Sequence, residues 1–265
     1  MIGNPIAHSK SPAIHAAFAR QTGQDMSYEA ILAPLDGFAA AVAAFRAAGG
    51  KGMNVTLPFK LEALELAEKP TERARLAGAA NTLRFDADGI FADNTDGVGL
   101  VRDLTGRLWL DLAGKRVLIL GAGGAARGVI LPLLEERPAL LAVANRSVDK
   151  AEALKAQFAS FGRLAAGGFD AFAGGAFDLV INATSASLGG AGLVLPEGLF
   201  APGALAYDMV YGRGETPFLA DARRLGAARV ADGLGMLVEQ AAESFFLWRG
   251  VRPETGPVLA MLRGG

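Results

Sequence analysis

VLILGAGGAARG, residues 117–128, joins a short apolar run to a glycine-rich turn that leads into a predicted helix. Gly121 and Gly123 are the first two glycines of the pattern G-x-G-x-x-G/A, and Ala126 takes the third place, where a small residue lets the helix pack closely on the strand. Such a turn offers free backbone N–H groups and the positive end of a helix dipole to the pyrophosphate of a dinucleotide. By itself it is a weak signal, because a tight strand-to-helix turn without a ligand needs the same glycines.

The surrounding sequence favours the dinucleotide interpretation because strands and helices alternate on both sides of the turn. This alternation predicts a parallel sheet covered by helices. The predicted strands are 116–120, 140–144, 177–182, 203–208 and 227–231, and the predicted helices are 124–136, 148–159 and 216–224. The glycine- and alanine-rich runs 165–175 and 187–192 are predicted to be loops.

The end of the second of these strands indicates which dinucleotide would bind. NAD-binding sites usually carry Asp or Glu there, but this chain has Asn145, Arg146 and Ser147, with Lys150 a turn later. No carboxylate would repel a 2′-phosphate, and the arginine can pair with one. The sequence therefore favours NADP; the alternative is an ordinary polar helix start capped by Ser147.

Composition limits the fold classes and functions that the chain can have. The chain has 265 residues, enough for two ordinary domains, and 51% of them are hydrophobic, so a buried core is expected. The formal net charge of −1 gives no global field for nucleic acid or an anionic membrane. The absence of cysteine excludes disulfides and thiolate chemistry and fits a reducing cytoplasm, and two histidines are too few for most metal sites, so no metal is expected.

In the first part of the chain, polar residues stand at the ends of the predicted elements. These elements are strand 27–33, helix 35–48, strand 51–55, helices to 66 and over 71–76, and a hairpin of 79–85 with 89–92. Ser9 and Ser11 flank a lysine at a helix start and could bind a carboxylate or phosphate, although Ser11 could simply be the helix N-cap. Three other polar residues also have interpretations without a role in a site. Lys60 could be an ordinary surface lysine, Asn81 a turn amide and Asp96 a helix N-cap. The C-terminal part is predicted to form helices over 235–249 and 254–262, with Gln240 off the apolar face of the first.

Taken together, these motifs resemble the shikimate dehydrogenase family over almost the whole chain. The segments that carry the resemblance are GNPIAHSKSP (3–12), NVTLPFK (54–60), ANT (80–82), NTDG (94–97), the glycine turn, NRS (145–147), NATS (182–185) and Gln240. The resemblance implies an α/β fold with an N-terminal α/β substrate domain (1–96 and 233–265), a Rossmann-type doubly wound NADP-binding domain (97–232), and a cleft between them. Family members begin with a strand before the Gly-Asn-Pro motif, whereas here only Met1 and Ile2 precede it, which bears on either the start of the chain or the integrity of that sheet.

Residue by residue, the resemblance implies roles in substrate binding, catalysis and cofactor binding. Ser9 and Ser11, with Tyr211 close by, would bind the substrate carboxylate, and Thr56, Asn81, Asp96 and Gln240 would hold the ring hydroxyls. Lys60 and Asp96 would be the catalytic pair, with Lys60 also contacting substrate. The cofactor would be bound by Gly121, Ala122, Gly123, Gly124, Ala125, Asn145, Arg146, Ser147, Lys150, Thr184, Met209 and Gly233.

The implied activity is the reversible, NADPH-dependent reduction of 3-dehydroshikimate to shikimate in aromatic amino acid biosynthesis. Because the cofactor donates the hydride, the protein needs only to orient the substrate and to move one proton. A lysine beside a carboxylate suits that role where histidine is scarce. The expected partner is this small molecule, with no nucleic acid or membrane, in a cytoplasmic monomer or homodimer. Two alternatives are a quinate/shikimate dehydrogenase that uses NAD and a catalytically silent ligand-sensing homologue.

Overall fold

The computed structural model describes residues 1–184, 193–212 and 214–264. Ser185 of the NATS motif and the predicted loop 187–192 lie outside these ranges. The chain divides into two compact units, Met1–Gly99 with Leu237–Gly265, and Leu100–Met236. Each boundary falls inside a helix, so it lies a few residues beyond the expected divisions at Asp96/Gly97 and Asp232/Gly233.

The second unit is built on a six-stranded sheet whose paired strands all run parallel. Its strands are β7 (Arg116–Leu120), β8 (Leu140–Ala144), β9 (Leu164–Gly167), β10 (Phe177–Asn182), β11 (Phe200–Asp208) and β12 (Arg229–Asp232). They lie in the order β12-β11-β10-β7-β8-β9, which is the doubly wound arrangement of dinucleotide-binding folds. The order reverses between β7 and β10, the point at which ligands bind in such sheets.

The apolar runs predicted as strands form this sheet because they can be buried on both faces. Residues 117–120 and 141–144 are at most 1% exposed. The helices of this unit are α6 (Gly124–Glu135), α7 (Val148–Gln157) and α8 (Pro217–Arg224), with a π-helical turn Asp103–Arg107 and a 3-10 turn Phe169–Phe172. The predicted strands and helices are confirmed, with ends that shift by up to a few residues.

One prediction for this unit was wrong. The run from Ala165 was expected to be a loop, but Leu164–Gly167 forms the edge strand β9. This strand pairs with β8 from Leu141↔Leu164 to Ala144↔Gly167. Its alanines and glycine have little intrinsic strand preference, so pairing with a buried neighbour, and not local sequence, sets its structure.

The first unit contains two small sheets. Strands β1 (Ile2–Gly3) and β2 (Ile31–Leu32) pair in parallel, and Ile2 also bridges to Val55. The second sheet has the order β3-β5-β6-β4, from strands β3 (Gly52–Asn54), β4 (Lys69–Pro70), β5 (Thr82–Asp86) and β6 (Gly89–Asp93). The helices are α1 (Ser11–Thr22), α2 (Phe38–Ala47), α3 (Lys60–Glu65), α4 (Glu72–Ala77), α5 (Asp96–Arg102), α9 (Leu234–Arg249) and α10 (Gly256–Arg263).

Local differences from the predictions concern helix starts and short strands. Lys10, not Ser11, stands at the N-cap of α1, and the Ser11 N–H is bound instead by the Ser9 hydroxyl at 3.2 Å. The predicted strand 27–33 contracts to Ile31–Leu32, because only β1 is available to pair with it. Asp96 begins α5 without capping it; its own N–H bonds to the Asn94 side chain at 3.1 Å. Among the described helices, none is long and apolar enough to cross a membrane.

Candidate functional site

The two predicted catalytic residues, Lys60 and Asp96, form an ion pair in the first unit. The Lys60 Nζ lies 2.6 Å from the Asp96 Oδ2, and the two side chains are 26% and 19% exposed. Lys60 begins α3 and Asp96 begins α5. The backbone helps to hold the pair, because the Ala80 N–H bonds to the Lys60 carbonyl at 2.8 Å next to Asn81. Partial exposure leaves both charged groups open to a ligand.

Asn81 lies against the same carboxylate. Its Nδ2 is 2.8 Å from the Asp96 Oδ1, 2.9 Å from the Thr95 Oγ1 and 3.2 Å from the Gln240 Oε1, so two of these three acceptors can be served at once. Its Oδ1 accepts from the Thr95 N–H at 2.9 Å. These contacts fix the amide with nitrogen toward the carboxylate, so Asp96 is bound by a cation on one oxygen and an amide on the other.

Gln240 reaches this cluster from α9. Its Nε2 donates to the Leu237 carbonyl at 2.8 Å, which turns its Oε1 toward Asn81. The close approach of α5 to α9 depends on Gly99, because a Cβ at that position would lie 2.6 Å from the Gln240 backbone nitrogen. The structure therefore brings Lys60, Asn81, Asp96 and Gln240 together, as the resemblance implied.

The other predicted substrate residues of this unit have different surroundings. The Ser9 hydroxyl donates to the Met1 Sδ at 3.0 Å and accepts from the Ser11 N–H. Ser11 is buried, with 3% of its surface exposed. The Thr56 hydroxyl forms no hydrogen bond with the described residues, although the Thr56 N–H bonds to the Ile2 carbonyl at 3.0 Å.

Tyr211 is the one predicted substrate residue that belongs to the second unit. It is half-buried, and burial raises the pKa of its phenol, so the group keeps its proton at neutral pH.

The glycine turn connects β7 to α6 in the second unit. Gly121 has a φ of +108°, and a Cβ there would lie 3.1–3.2 Å from Thr184 and Ala183, so both the backbone conformation and the neighbours favour glycine. Gly123 and Gly124 differ, because a Cβ on either would meet no described atom within 4 Å. The space above them, at the start of a helix, is the arrangement that lets phosphate oxygens reach backbone N–H groups, so the turn fits a dinucleotide. Ala122 is buried and Ala125 exposed.

The segment after β8 presents its polar side chains to solvent. Arg146, Ser147 and Lys150 are exposed, and Arg146 forms no ion pair with the described residues. Ser147 stands at the N-cap of α7, yet its side chain makes no capping bond. The alternative is therefore confirmed for the position of Ser147 but not for a capping bond, and the hydroxyl is available to a ligand. Asn145 orders the segment by donating from Nδ2 to the Ser147 carbonyl at 2.9 Å.

The remaining predicted cofactor residues follow β10, β11 and β12. Thr184 donates its hydroxyl to the Asn182 Oδ1 at 2.7 Å. Gly233 packs so closely on Met209 that a Cβ would overlap the Met209 carbonyl. Because the strands are parallel, these residues share the carboxyl edge of the sheet with the glycine turn and Arg146.

Sequence reasoning assigned no role to the buried polar groups behind both clusters. Thr82 and Thr95 in the first unit and Asn182 in the second were noted, like Asn54, only as parts of motifs. Ser244, within α9, and Asp208, whose side chain bonds to that of Asn182 at 3.1 Å, were not noted. Their signal was weak, since a polar residue in a helix or at the end of an apolar strand is also typical of an exposed position.

Comparison with known proteins agrees with this geometry. Residues 1–83 match the substrate-binding domain of shikimate dehydrogenase, 103–188 match shikimate/quinate 5-dehydrogenase, and 233–263 match the shikimate 5′-dehydrogenase C-terminal domain. The NADP(+)-dependent shikimate dehydrogenase of Dechloromonas aromatica is 67% identical over 263 residues, which cover 99% of this chain and 96% of that protein. The chain belongs to the shikimate dehydrogenase family.

Solved structures of similar proteins share the fold. The shikimate 5-dehydrogenase of Thermus thermophilus, solved in complex with NADP(H) and shikimate, is 34% identical with a TM-score of 0.87, covering 99% of this chain and 97% of that one. The ligand-free 5-ketofructose reductase of a Gluconobacter species is 31% identical, also with a TM-score of 0.87, covering 99% and 96%. The fold thus occurs with different substrates, and the polar residues of the site must distinguish them.

Proposed function

We propose that this chain is an NADP-dependent shikimate dehydrogenase, which reduces 3-dehydroshikimate reversibly to shikimate in aromatic amino acid biosynthesis. The observation that carries the proposal is the Lys60–Asp96 pair, 2.6 Å apart, with the Asn81 amide on the second carboxylate oxygen. A polyhydroxylated ring needs convergent donors and acceptors of this kind. The identity of 67% to a shikimate dehydrogenase supports the same substrate.

The two units would divide the work. In the first, Ser9 and Ser11 would bind the substrate carboxylate, and Thr56, Asn81, Asp96 and Gln240 the ring hydroxyls, with Tyr211 of the second unit near the carboxylate. The second unit would hold NADP through the glycine turn, Asn145, Arg146, Ser147, Lys150, Thr184, Met209 and Gly233. The free guanidinium of Arg146, and an Asn145-Arg146-Ser147 sequence in place of a carboxylate directly after β8, support NADP over NAD.

The chemistry then requires one proton and one stabilised oxygen from the protein. NADPH, held by the second unit, would supply the hydride to the carbonyl carbon. Lys60 would hydrogen-bond the carbonyl oxygen, stabilise negative charge as it develops there, and give that oxygen a proton. Asp96 would orient the lysine through their ion pair, and it would bind a neighbouring hydroxyl. In the reverse direction Lys60 takes the alcohol proton.

We expect this biosynthetic enzyme to work in the cytoplasm as a monomer or homodimer. A chain without cysteine suits a reducing compartment.

Replacing the lysine tests the proposal. Lys60→Ala should lower kcat for shikimate oxidation by at least about 100-fold, the low end of general acid–base contributions, while shikimate binding stays measurable. Lys69→Ala is the matched control, because Lys69 also pairs with a carboxylate of the first unit, that of Asp88, but lies outside the cluster. A near-normal kcat for Lys60→Ala would refute the role of Lys60.

A further inference from the structure

Asn54, at the end of β3, is a buried residue to which the proposed mechanism assigns no role. It is 4% exposed. Its Nδ2 lies 3.2 Å from the Asn81 carbonyl, 3.1 Å from the Thr82 Oγ1 and 2.9 Å from the Ser244 Oγ. The Asn81 carbonyl can only accept, so the amide nitrogen must face it and the oxygen Oδ1 must face the other way. Asn54 therefore contacts the main chain of a proposed substrate residue directly.

Asn54 also reaches the side chain of Asn81 through one intermediary. The Thr82 hydroxyl, 3.1 Å from the Asn54 nitrogen, lies 2.9 Å from the Asn81 Oδ1. The orientation of Asn54 thus influences both the backbone and the amide of Asn81, and Asn81 is the group that binds Asp96.

Two aromatic side chains set the orientation of Asn54 from its oxygen side. The Tyr28 hydroxyl donates to the Asn54 Oδ1 at 2.7 Å, and the His15 Nε2 lies 3.1 Å from the same oxygen. Because that oxygen only accepts, His15 must carry its proton on Nε2. Burial lowers the pKa of His15 to about 3, so the ring is neutral, and its Nδ1 has no partner among the described residues.

Tyr28 is itself held in place by His15. Its ring stacks on His15 with centroids 4.2 Å apart and planes at 10°. Burial raises the pKa of the phenol, so it remains a donor at any working pH. The Tyr28 hydroxyl therefore orients Asn54 and through it Asn81.

We propose that Tyr28 is a positioning residue for substrate binding: its hydroxyl, with the ring held by His15, fixes Asn54 and through it Asn81. The proposal rests on the proposed function, since it concerns how the same site holds shikimate. Tyr28 does not take part in the proton transfer, so its loss should weaken substrate binding more than turnover.

Tyr28→Phe isolates the hydroxyl because it keeps the ring that stacks on His15. We expect the KM for shikimate to rise about fivefold, the effect of losing roughly one hydrogen bond, with the KM for NADP+ unchanged and kcat close to wild type. Tyr207→Phe is the matched control: Tyr207 is also buried and donates to a side chain, the Asp103 Oδ2 at 2.7 Å, but it lies in the second unit. Tyr207→Phe should lower the melting temperature about as much as Tyr28→Phe does, without a change in the shikimate KM.

Double mutants test whether Tyr28 acts through Asn54 and Asn81. Combined with Asn54→Ala or with Asn81→Ala, Tyr28→Phe should raise the shikimate KM by less than the product of the single effects. Multiplicative effects with either partner would overturn the proposal, as would an unchanged shikimate KM in Tyr28→Phe or an equal rise in the KM for NADP+. Wild-type protein that does not turn over shikimate would instead refute the proposed function.

Discussion

At the scale of single residues, His15 shows how burial can decide a protonation state. Its ring is fully enclosed by aromatic side chains, with Phe18 at 6.0 Å, Trp248 at 5.3 Å and Phe245 at 6.2 Å between ring centroids. A charged imidazolium would be poorly solvated there, and the only polar contact of the ring among the described residues is Asn54. The neutral form is therefore strongly preferred in the folded protein.

This preference predicts a dependence of stability on pH. In the unfolded chain His15 takes up a proton below about pH 6.5, whereas the folded protein resists it until about pH 3, so the unfolded state binds more protons between these values and stability falls as the pH is lowered. At pH 5 the loss should be about 2 kcal/mol.

Urea unfolding at pH 7 and pH 5 checks this. His15→Gln should remove about that much of the pH dependence, while His8→Gln, at an exposed histidine, should leave it unchanged. The same dependence in His15→Gln as in wild type would contradict the account of a buried neutral ring.

Arg146 is the residue on which cofactor choice should depend. Arg146→Ala should weaken NADPH binding by about 10- to 100-fold, the effect of losing a charge-assisted hydrogen bond, and NADH binding far less. Lys155→Ala is a suitable control, because Lys155 is an exposed cation of the adjoining helix α7 already paired with Glu152 at 3.1 Å. Fluorescence titration gives both affinities, and equal losses for the two cofactors would mean that Arg146 does not contact the phosphate.

Sequence allowed some of these residues to be predicted and not others. Lys60, Asn81, Asp96 and Gln240 stand in recognisable motifs, and the structure places them together. His15 and Tyr28 gave no such signal, because a histidine on a helix and a tyrosine near a strand usually join an ordinary core. Their importance arises from contacts with Asn54, which is 39 and 26 residues away along the chain and can be recognised only in three dimensions.

At the scale of elements, the glycine turn combines two different requirements for glycine. Gly121 is needed for its backbone conformation and its close neighbours, so substituting it should damage the fold. Gly123 has an extended backbone, with φ −84° and ψ −171°, and open space at its Cβ. A larger residue there should be tolerated by the fold but should occupy the space that the pyrophosphate needs.

Gly123→Val should therefore keep the wild-type melting temperature and lose measurable NADP+ binding at concentrations that saturate wild type. Gly106→Val, at another glycine of the second unit with no described atom within 4 Å of its Cβ, should keep both. Calorimetric titration with NADP+ measures the affinity of each variant for the cofactor. Normal NADP+ binding by Gly123→Val would show that the cofactor does not lie against this turn.

The elements that sequence predicted best are those buried on both sides. Strands β7, β8 and β10 begin and end at the predicted residues, because continuous apolar runs in a parallel sheet leave little choice. The edge strand β9 and the short β2 were mispredicted, since their structure depends on pairing with other strands, which local sequence does not encode.

At the scale of the whole molecule, the fold narrows the chemistry without fixing the substrate. The same fold occurs, at 31% identity, in a 5-ketofructose reductase. Under the proposed function, the polar side chains of the first unit select the substrate, and Arg146 of the second selects the cofactor. Fold class followed from the alternation of strands and helices, but the substrate could be inferred only from a family resemblance and the residues that carry it.

We expect these residues to select shikimate and NADP together. This selection is measured by kcat/KM of the wild-type chain with shikimate and with quinate, each with NADP+ and with NAD+. The value should be highest for shikimate with NADP+. A higher value for quinate with NAD+, or no turnover of shikimate with either cofactor, would show that the residues do not select this pair.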